Sequence, residues 1–254
     1  MGFSLQSFEY EKIKILFSKF PNLLNEDFEA RMKKAIGVLH FDYLWGACKE
    51  AEKILPKCKQ DNLFDLIMKL YTKKRKTHQA NFLLLHCFEN ALRSTLCVKI
   101  ANLYNTSNDD SWFKAINSNS NGLNNILKLF NKRKKHLGGK EAQNSWEVFD
   151  CFYLVDLEDI ISFHWGEFAP IFKNEKRYKG QDLPSYGTKD HLLTKLSQIR
   201  KARNEIFRNK PTKIKFRKDL EILLLRLEYN LEDAIEIGDI KESIDLRYNY
   251  KDVG

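Results

Sequence analysis

The stretch KARNEIFRNKP, residues 201–211, contains Arg203, Asn204 and Arg208. On a helix, Arg203 and Phe207 share one face and Arg208 lies beside it. A guanidinium donates two parallel hydrogen bonds to a phosphate, so this turn is suited to binding one. A basic helix C-terminus that complements the helix dipole explains the same residues without any ligand. The segment is therefore a candidate phosphate site, and its spacing alone leaves both interpretations open.

The charge around this stretch is unusually lopsided. Ten Lys and Arg residues and one acid, Glu205, fall between residues 195 and 218. The set includes Arg200, Lys201 and Lys210, which we predict as RNA-binding residues. The whole chain has 254 residues and a net charge of +9. A basic surplus of this kind favours a polyanionic partner, and binding to it would be sensitive to salt.

A second set of predicted RNA-binding residues lies on a helix with an apolar pattern at about 78–104. His86, Glu89 and Arg93 are three and four residues apart and so share a face. This polar stripe is either plain surface or a partly buried charge network in which Glu89 pairs with Arg93. His86 is the best histidine for proton transfer here, although a structural role is the more usual one for such a residue.

The elements that must position these residues are predicted to be helices throughout. Helical apolar spacing covers most of the chain, and no strand pattern of any length is present. Residues 145–165 read as one helix capped by Ser145. Breaks follow at Gly166 and Pro170, and residues 176–187 read as a polar connector. The remaining predicted helices are 5–20, 26–54, a run beginning at Asp61, 121–130, a helix from Thr188 to near Asn209, and 214–236.

This pattern predicts an all-α helical bundle with an appended N-terminal helical region. The predicted domains are an N-terminal helical region at 1–76, a helical bundle at 77–236 and a tail at 237–254. The basic run at 73–76 is either a helix end or connector, or a nucleic-acid patch.

The cysteine pattern and the hydropathy of the chain indicate neither a zinc protein nor a membrane protein. The five cysteines include no Cys-x-x-Cys pair, so no zinc site is expected, and Cys87 and Cys97 read as buried apolar residues. No apolar run reaches the ~18 residues that a membrane span needs. We therefore expect a cytoplasmic protein with no membrane partner, no metal and no cofactor.

Three segments together resemble the abortive-infection (Abi-like) branch of the HEPN superfamily, helical proteins of bacterial phage defence and toxin–antitoxin systems. They are FENALRSTL at 88–96, DLEDIISFHWGEFAPIFKN at 156–174 and LSQIRKARNEIFRN at 196–209. The third is similar to the helix that carries the family's Arg-Asn-x-x-x-His motif and precedes one last long helix. The resemblance covers about residues 78–236 and implies an HEPN-like bundle.

The resemblance implies a metal-independent endoribonuclease whose site is formed across a homodimer, with an antitoxin or another defence protein as a further partner. Carried over, Arg203 would hold the scissile phosphate and Asn204 would orient the neighbouring groups. Arg208 stands where the family has its histidine. Because arginine stays protonated, Arg208 can bind a phosphate and is a poor general base. The implied activity is thus RNA binding, with cleavage left open.

Two other function classes fit the same sequence. One is a non-catalytic helical module for protein interaction or dimerisation, which the missing histidine favours. The other is a DNA-binding helix-turn-helix with 188–209 as its recognition element, for which the following turn gives no specific support. Salt-sensitive retention of RNA would distinguish the RNA-binding HEPN-like protein from the interaction module, because the contacts of the module would be apolar.

Overall fold

The computed structural model describes residues 3–57, 62–105, 109–115 and 120–232. The fold is all-α, as the sequence predicts: 74% of the described residues are helical, and a two-stranded hairpin is the only sheet among them. The elements are α1 (Leu5–Leu16), α2 (Glu26–Val38), α3 (Phe41–Ile54), α4 (Leu63–Tyr104), α5 (Asn121–Arg133), α6 (Ser145–Asp150), α7 (Leu154–Phe163), α8 (Trp165–Lys173), β1 (Arg177–Tyr178), β2 (Gln181–Asp182), α9 (Lys189–Ile206) and α10 (Arg217–Arg226).

The chain divides into two compact units. The first comprises Met1–Asn81 and Glu205–Thr212, and the second comprises Phe82–Asn204 and Lys213–Gly254. Helices α4 and α9 each contribute residues to both units. Compact units need not coincide with domains in the evolutionary sense, so the boundaries proposed at residues 76 and 236 stay predictions.

The first unit is built from α1, α2, α3 and the beginning of α4. Asn25 caps α2 by accepting a 2.9 Å hydrogen bond from the backbone N–H of Phe28. The single helix predicted at 26–54 is wrong, because Leu39 and His40 adopt extended backbone angles between α2 and α3. The break lets both helices bury their apolar faces in one core, which contains Ile13, Phe17, Phe28, Met32, Leu44, Ala47, Cys48, Ala51 and Ile67.

Helix α4 is continuous over 42 residues, where the sequence predicted two helices joined at the basic run. No glycine or proline interrupts Leu63–Tyr104, and lysine and arginine are good helix formers, so nothing in residues 73–76 ends the helix. The basic run is therefore neither a helix end nor a connector. The α4 residues Phe88, Leu92 and Leu96 are buried in the second unit.

Helices α6 and α7 replace the single helix predicted from Ser145. The N-cap of α6 is Asn144, which accepts a hydrogen bond from the backbone N–H of Glu147 at 3.0 Å. Asp156 accepts the backbone N–H of Tyr153 at 2.9 Å, which starts α7 and separates it from α6. The buried Asp156 carboxylate also binds Arg133 through two nitrogens at 2.8 and 2.9 Å.

The predicted breaks at Gly166 and Pro170 are wrong, since both residues lie inside α8. Phe168 and Phe172, four residues apart, are fully buried and hold this short helix in place. The predicted connector that follows forms the β1–β2 hairpin, with Arg177 opposite Asp182. Its turn residues Lys179 and Gly180 both have positive φ, as a tight two-residue hairpin turn requires.

Helix α9 begins and ends much as predicted. The Thr188 hydroxyl accepts the backbone N–H of His191 at 3.2 Å. At the other end, Asn209 is left-handed (φ 59°), and the N–H of Lys210 reaches back to the carbonyl of Glu205 at 2.9 Å. This is a Schellman termination with asparagine in the left-handed position. Helix α10 is shorter than the predicted 214–236, and the tail from residue 238 lies outside the described residues.

Two buried polar groups support the second unit. Arg226 is 1% exposed, and its guanidinium donates to the carbonyl oxygens of Pro184, Ile171, Asn174 and Leu183 at 2.8–3.1 Å. Burial lowers the pKa of Arg226 from its ordinary value.

The second buried group is His164, whose Nε2 lies 2.6 Å from the hydroxyl of Tyr104. Tyr104 also lies 3.1 Å from the hydroxyl of Ser120, the N-cap of α5. A Cβ placed on Gly122 would be 2.6 Å from His164 Nε2, so this position of α5 needs glycine.

Four cysteines are described, and all are free and buried. The prediction that Cys87 and Cys97 act as buried apolar residues is confirmed. Burial raises the pKa of Cys48 and of Cys97 to about 12, so both are thiols at neutral pH. None of the described helices combines the length and apolarity that crossing a membrane would require.

Candidate functional site

The strongest cluster of predicted site residues in the second unit is centred on Glu89. The Nε of Arg203 on α9 lies 3.2 Å from Glu89 Oε2, and a terminal nitrogen of Arg93 lies 3.2 Å from Oε1. The Glu89 side chain is largely buried. The carboxylate thus bridges two arginines that come from different helices. The predicted pairing of Glu89 with Arg93 is confirmed, and Arg203 joins it.

Arg93 anchors this cluster to the protein interior. Its Nη1 donates to the carbonyl oxygens of Phe149 and Phe152, the latter at 2.8 Å. These carbonyls lie at and just beyond the end of α6, where the regular helical hydrogen-bond pattern ends. The Phe149 carbonyl also accepts the backbone N–H of Phe152 at 3.1 Å. Arg93 therefore has a packing role, and the prediction that it contacts RNA is not tested by these contacts.

Helix α9 directs its arginines to different partners. Ile199 and Ala202 are fully buried, so the flanking residues Arg200 and Arg203 lie at the edges of the buried face. Arg200 Nε donates to Glu158 Oε1 on α7 at 2.7 Å, whereas Arg203 binds Glu89 on α4. Burial raises the pKa of Glu158, and the hydrogen bond from Arg200 opposes that shift. The two arginines hold α9 against separate neighbours.

The solvent side of α9 carries the remaining predicted residues of this unit. The Arg203 side chain is 30% exposed, while Lys201 and Asn204 are exposed. Two guanidinium groups share one carboxylate, so the Glu89 cluster keeps a formal charge of +1. A carboxylate that holds an arginine at a partly exposed position presets its orientation for an incoming anion. The geometry can therefore bind phosphate.

Arg208 and Lys210 are exposed and belong to the first unit, whereas Arg203 and Asn204 belong to the second. Arg208 lies in the Schellman turn, and its backbone N–H donates to the carbonyl of Glu205 at 3.1 Å. No ion pair to the Arg208 side chain is found among the described residues.

His86 is exposed, and its Nε2 lies 3.2 Å from the side-chain amide nitrogen of Asn90 on the same helix. The buried histidines are His78 and His164. Sequence reasoning gave neither of them a role. His78 lies in the polar run KKRKTHQAN, and its contact is with Tyr43, 35 residues away, so no local signal could have revealed it.

Comparisons with known proteins add no further assignment. No protein-family model matches the chain, and neither a curated protein nor a solved structure matches it. Among the described residues, no group of three or more His, Cys, Asp or Glu side chains is placed to hold a metal ion.

Proposed function

We propose that this chain is an RNA-binding, HEPN-like protein of the abortive-infection type, acting in phage defence or in a toxin–antitoxin pair. The observation that carries the proposal is the Glu89 bridge, which holds the partly exposed Arg203 beside the exposed Lys201 and Asn204. In this proposal Arg203 binds an RNA phosphate, and Glu89 keeps its guanidinium oriented. Arg93 fixes Glu89 through the interior carbonyls.

The charges of the site favour a polyanion over an isolated anion. Arg203 lies in a segment where ten basic residues accompany one acid, and the chain as a whole carries a net charge of +9. Each phosphate that the protein neutralises releases counterions from the nucleic acid, so several weak contacts together give affinity. RNA is the expected ligand, and a homodimer would double the number of such contacts.

Cleavage requires a group that can accept the proton of the RNA 2′-hydroxyl. Arg208 occupies the histidine position of the motif and cannot serve as that base. We therefore propose binding as the main activity, with metal-independent cleavage strongly reduced for want of the base.

The test is retention of a single-stranded RNA oligonucleotide by the purified full-length chain across a salt series. Arg203→Ala should weaken RNA binding about tenfold, because one phosphate contact is lost. The slope of the logarithm of the binding constant against the logarithm of the salt concentration should become shallower by about one. Arg177→Ala is the matched control, since Arg177 is a highly exposed arginine of the same unit that pairs with Asp182. It should change binding less than about twofold.

The proposal fails if wild-type protein does not retain RNA at low salt. It also fails if Arg203→Ala and Arg177→Ala behave alike. A second readout is growth arrest on expression in bacteria, which Arg203→Ala should relieve and Arg177→Ala should not.

A second function, a helical protein-interaction module, is favoured by the outer face of α1. Leu5, Phe8 and Ile15 are more than half exposed there, while Tyr10 and Ile13 of the same helix are buried. An apolar stripe of this kind suits a protein partner. Association through it should survive 1 M salt and be abolished by Phe8→Glu, whereas RNA retention should show the opposite dependence on salt.

A further inference from the structure

A pocket of about 430 Å³ lies within the first unit. One wall is a face of α3 that presents Tyr43, Gly46, Lys49 and Glu50. The opposite wall is a face of α4, and the last residue of α9 closes a third side together with two residues that follow it. The α4 face and the third side present Lys73, Lys74, Thr77, His78, Asn81, Ile206, Pro211 and Thr212. The volume falls in the range of roughly 300–1,000 Å³ that is usual for small-molecule sites.

The floor of the pocket is a buried hydrogen-bonded pair. The hydroxyl of Tyr43 lies 2.5 Å from Nδ1 of His78, and both side chains are buried. Burial lowers the pKa of His78, and Arg75 lowers it further, although a hydrogen bond to the Asn209 side chain opposes this. Burial also raises the pKa of Tyr43. Both shifts favour the neutral forms, so the pair is an uncharged hydrogen bond at neutral pH.

The walls carry more positive than negative groups. Three lysines line the pocket against two carboxylates, Asp42 and Glu50. Glu50 is already bound to Lys74 at 2.5 Å. Neither Lys49 nor Lys73 forms an ion pair with a carboxylate in the described part of the chain. Apart from the Glu50–Lys74 pair, the lining therefore carries two ammonium groups and one carboxylate, Asp42, and the pocket has a net charge of +1.

Two further nitrogen-bearing side chains, Arg75 and His40, lie beside the Tyr43 ring. The Arg75 guanidinium lies over the Tyr43 ring at 5.0 Å, and the His40 ring meets the same ring edge-on. Within the described residues, Arg75 Nη1 and His40 Nδ1 are buried with no hydrogen-bond partner. A buried guanidinium nitrogen without an acceptor is costly, and such groups often mark a place that an anion occupies or influences.

We propose that this pocket binds a phosphate-bearing small molecule of nucleotide size. Lys49 and Lys73 bind its phosphates from opposite walls, since both are cations at the pocket without a carboxylate partner. Thr77, Asn81 and His78 supply the neutral hydrogen bonds that orient the rest of the ligand. Gly46 places no side chain on the α3 wall, and a Cβ there would make an ordinary contact with the Lys74 side chain at 3.8 Å. The site is separate from the Glu89 cluster and does not depend on RNA binding there.

The experiment is calorimetric titration of the full-length chain with ADP, inorganic pyrophosphate and adenosine. ADP and pyrophosphate should bind, and adenosine should not, because the phosphates make the charged contacts. Lys49→Ala combined with Lys73→Ala should weaken ADP binding about 10- to 100-fold, as expected for the loss of charge-assisted hydrogen bonds. Lys76→Ala is the matched control: it lies in the same basic run, is exposed and does not line the pocket. It should change ADP binding less than about twofold.

Gly46→Leu gives a second variant that keeps all the lysines and fills the pocket instead. It should abolish ADP binding while leaving the thermal unfolding midpoint close to that of wild type, since the added side chain enters open volume. The proposal is overturned if ADP and pyrophosphate do not bind at millimolar concentration. It is also overturned if Lys76→Ala weakens binding as much as the double variant. Loss of RNA retention in the double variant, with ADP inert, would assign these lysines to an RNA backbone and reject the small-molecule site.

Discussion

Arg203 and Arg226 show two different uses of a guanidinium within the second unit. Arg226 is 1% exposed and donates to four backbone carbonyls around the ends of α8 and the hairpin. Arg203 is 30% exposed and is held by a carboxylate that also binds Arg93. The first set of contacts ties distant loops together, and the second leaves part of a cationic side chain at the surface.

The difference separates residues that stabilise the fold from residues that can act on a ligand. A fully buried arginine satisfied by carbonyls has no surface to offer, so replacing it should affect folding alone. A partly exposed arginine contributes less to stability and can still meet an anion. Exposure and the type of acceptor, rather than residue type, therefore decide which arginines of this basic chain are candidates for function.

The largest effect is expected for Arg226→Met. Four carbonyls lose their donor, and the loss of a buried hydrogen-bond network should cost about 3–4 kcal/mol of the free energy of unfolding. Urea denaturation measures this. Arg217→Met is the control, because Arg217 is a half-exposed arginine paired with Glu221 on α10 and should cost at most ~1 kcal/mol. Equal losses in the free energy of unfolding for both variants would show that a buried arginine stabilises the fold no more than an exposed one.

The next effect concerns chemistry at the end of α9. Arg208→His, with Asn204 retained, puts a titratable group where a permanent cation stands. RNA cleavage should rise by about 100-fold or more if the rest of the site is intact. The measurement is cleavage of a fluorescent RNA in EDTA at pH 7, with Arg208→Ala as the control that should show no gain. Cleavage unchanged by histidine would mean that the surrounding geometry no longer supports catalysis.

A smaller effect is expected for Glu89→Gln, which keeps the shape of the side chain and removes its charge. Arg93 and Arg203 then face each other without a shared counter-charge, and the free energy of unfolding should fall by about 1–2 kcal/mol. Asp182→Asn breaks the fully exposed pair with Arg177 and should cost less than ~0.5 kcal/mol. Chemical denaturation compares them, and a Glu89 cost as small as that of Asp182 would show that the bridge contributes little.

The smallest effect is the pH dependence contributed by Glu158. Burial raises the pKa of this carboxyl in the folded state above its unfolded value, despite Arg200. The folded state thus holds the proton more tightly, and the contribution of Glu158 to stability is present at low pH and lost as pH rises through the folded pKa. We therefore compare the stability of Glu158→Gln with that of wild type at each pH. The difference should favour the variant more at pH 7 than at pH 4. Thermal unfolding at the two pH values measures this, and a difference of the opposite sign would contradict the assignment.

The sequence predicted the fold class and, as one of two alternatives, the pairing of Glu89 with Arg93, both for identifiable reasons. Helical apolar spacing is a local signal, so all-α architecture followed from it directly. Glu89 and Arg93 are four residues apart on one helix, and their pairing is therefore also local. Thr188 as the start of α9 rests on capping chemistry within one turn.

The contacts that sequence reasoning missed join residues far apart in the chain. Arg226 reaches carbonyls more than 40 residues away, and Tyr43 meets His78 across 35 residues. The acceptors of Arg226 are backbone carbonyls. Because every residue has such a carbonyl, the sequence does not indicate which of them an arginine will bind. The breaks between α2 and α3 and between α6 and α7 depend on how the apolar faces of neighbouring helices pack in one core. The spacing of apolar residues within a single segment does not predict such breaks.

The close approach of His164 to Gly122 restricts how this protein can diverge. A methyl group at position 122 must displace an imidazole that Tyr104 holds at 2.6 Å, and Tyr104 in turn contacts the residue that caps α5. Natural relatives should therefore keep the glycine, histidine and tyrosine as a set or lose them as a set. That covariation gives a three-position test of common ancestry that remains usable after overall sequence identity has decayed.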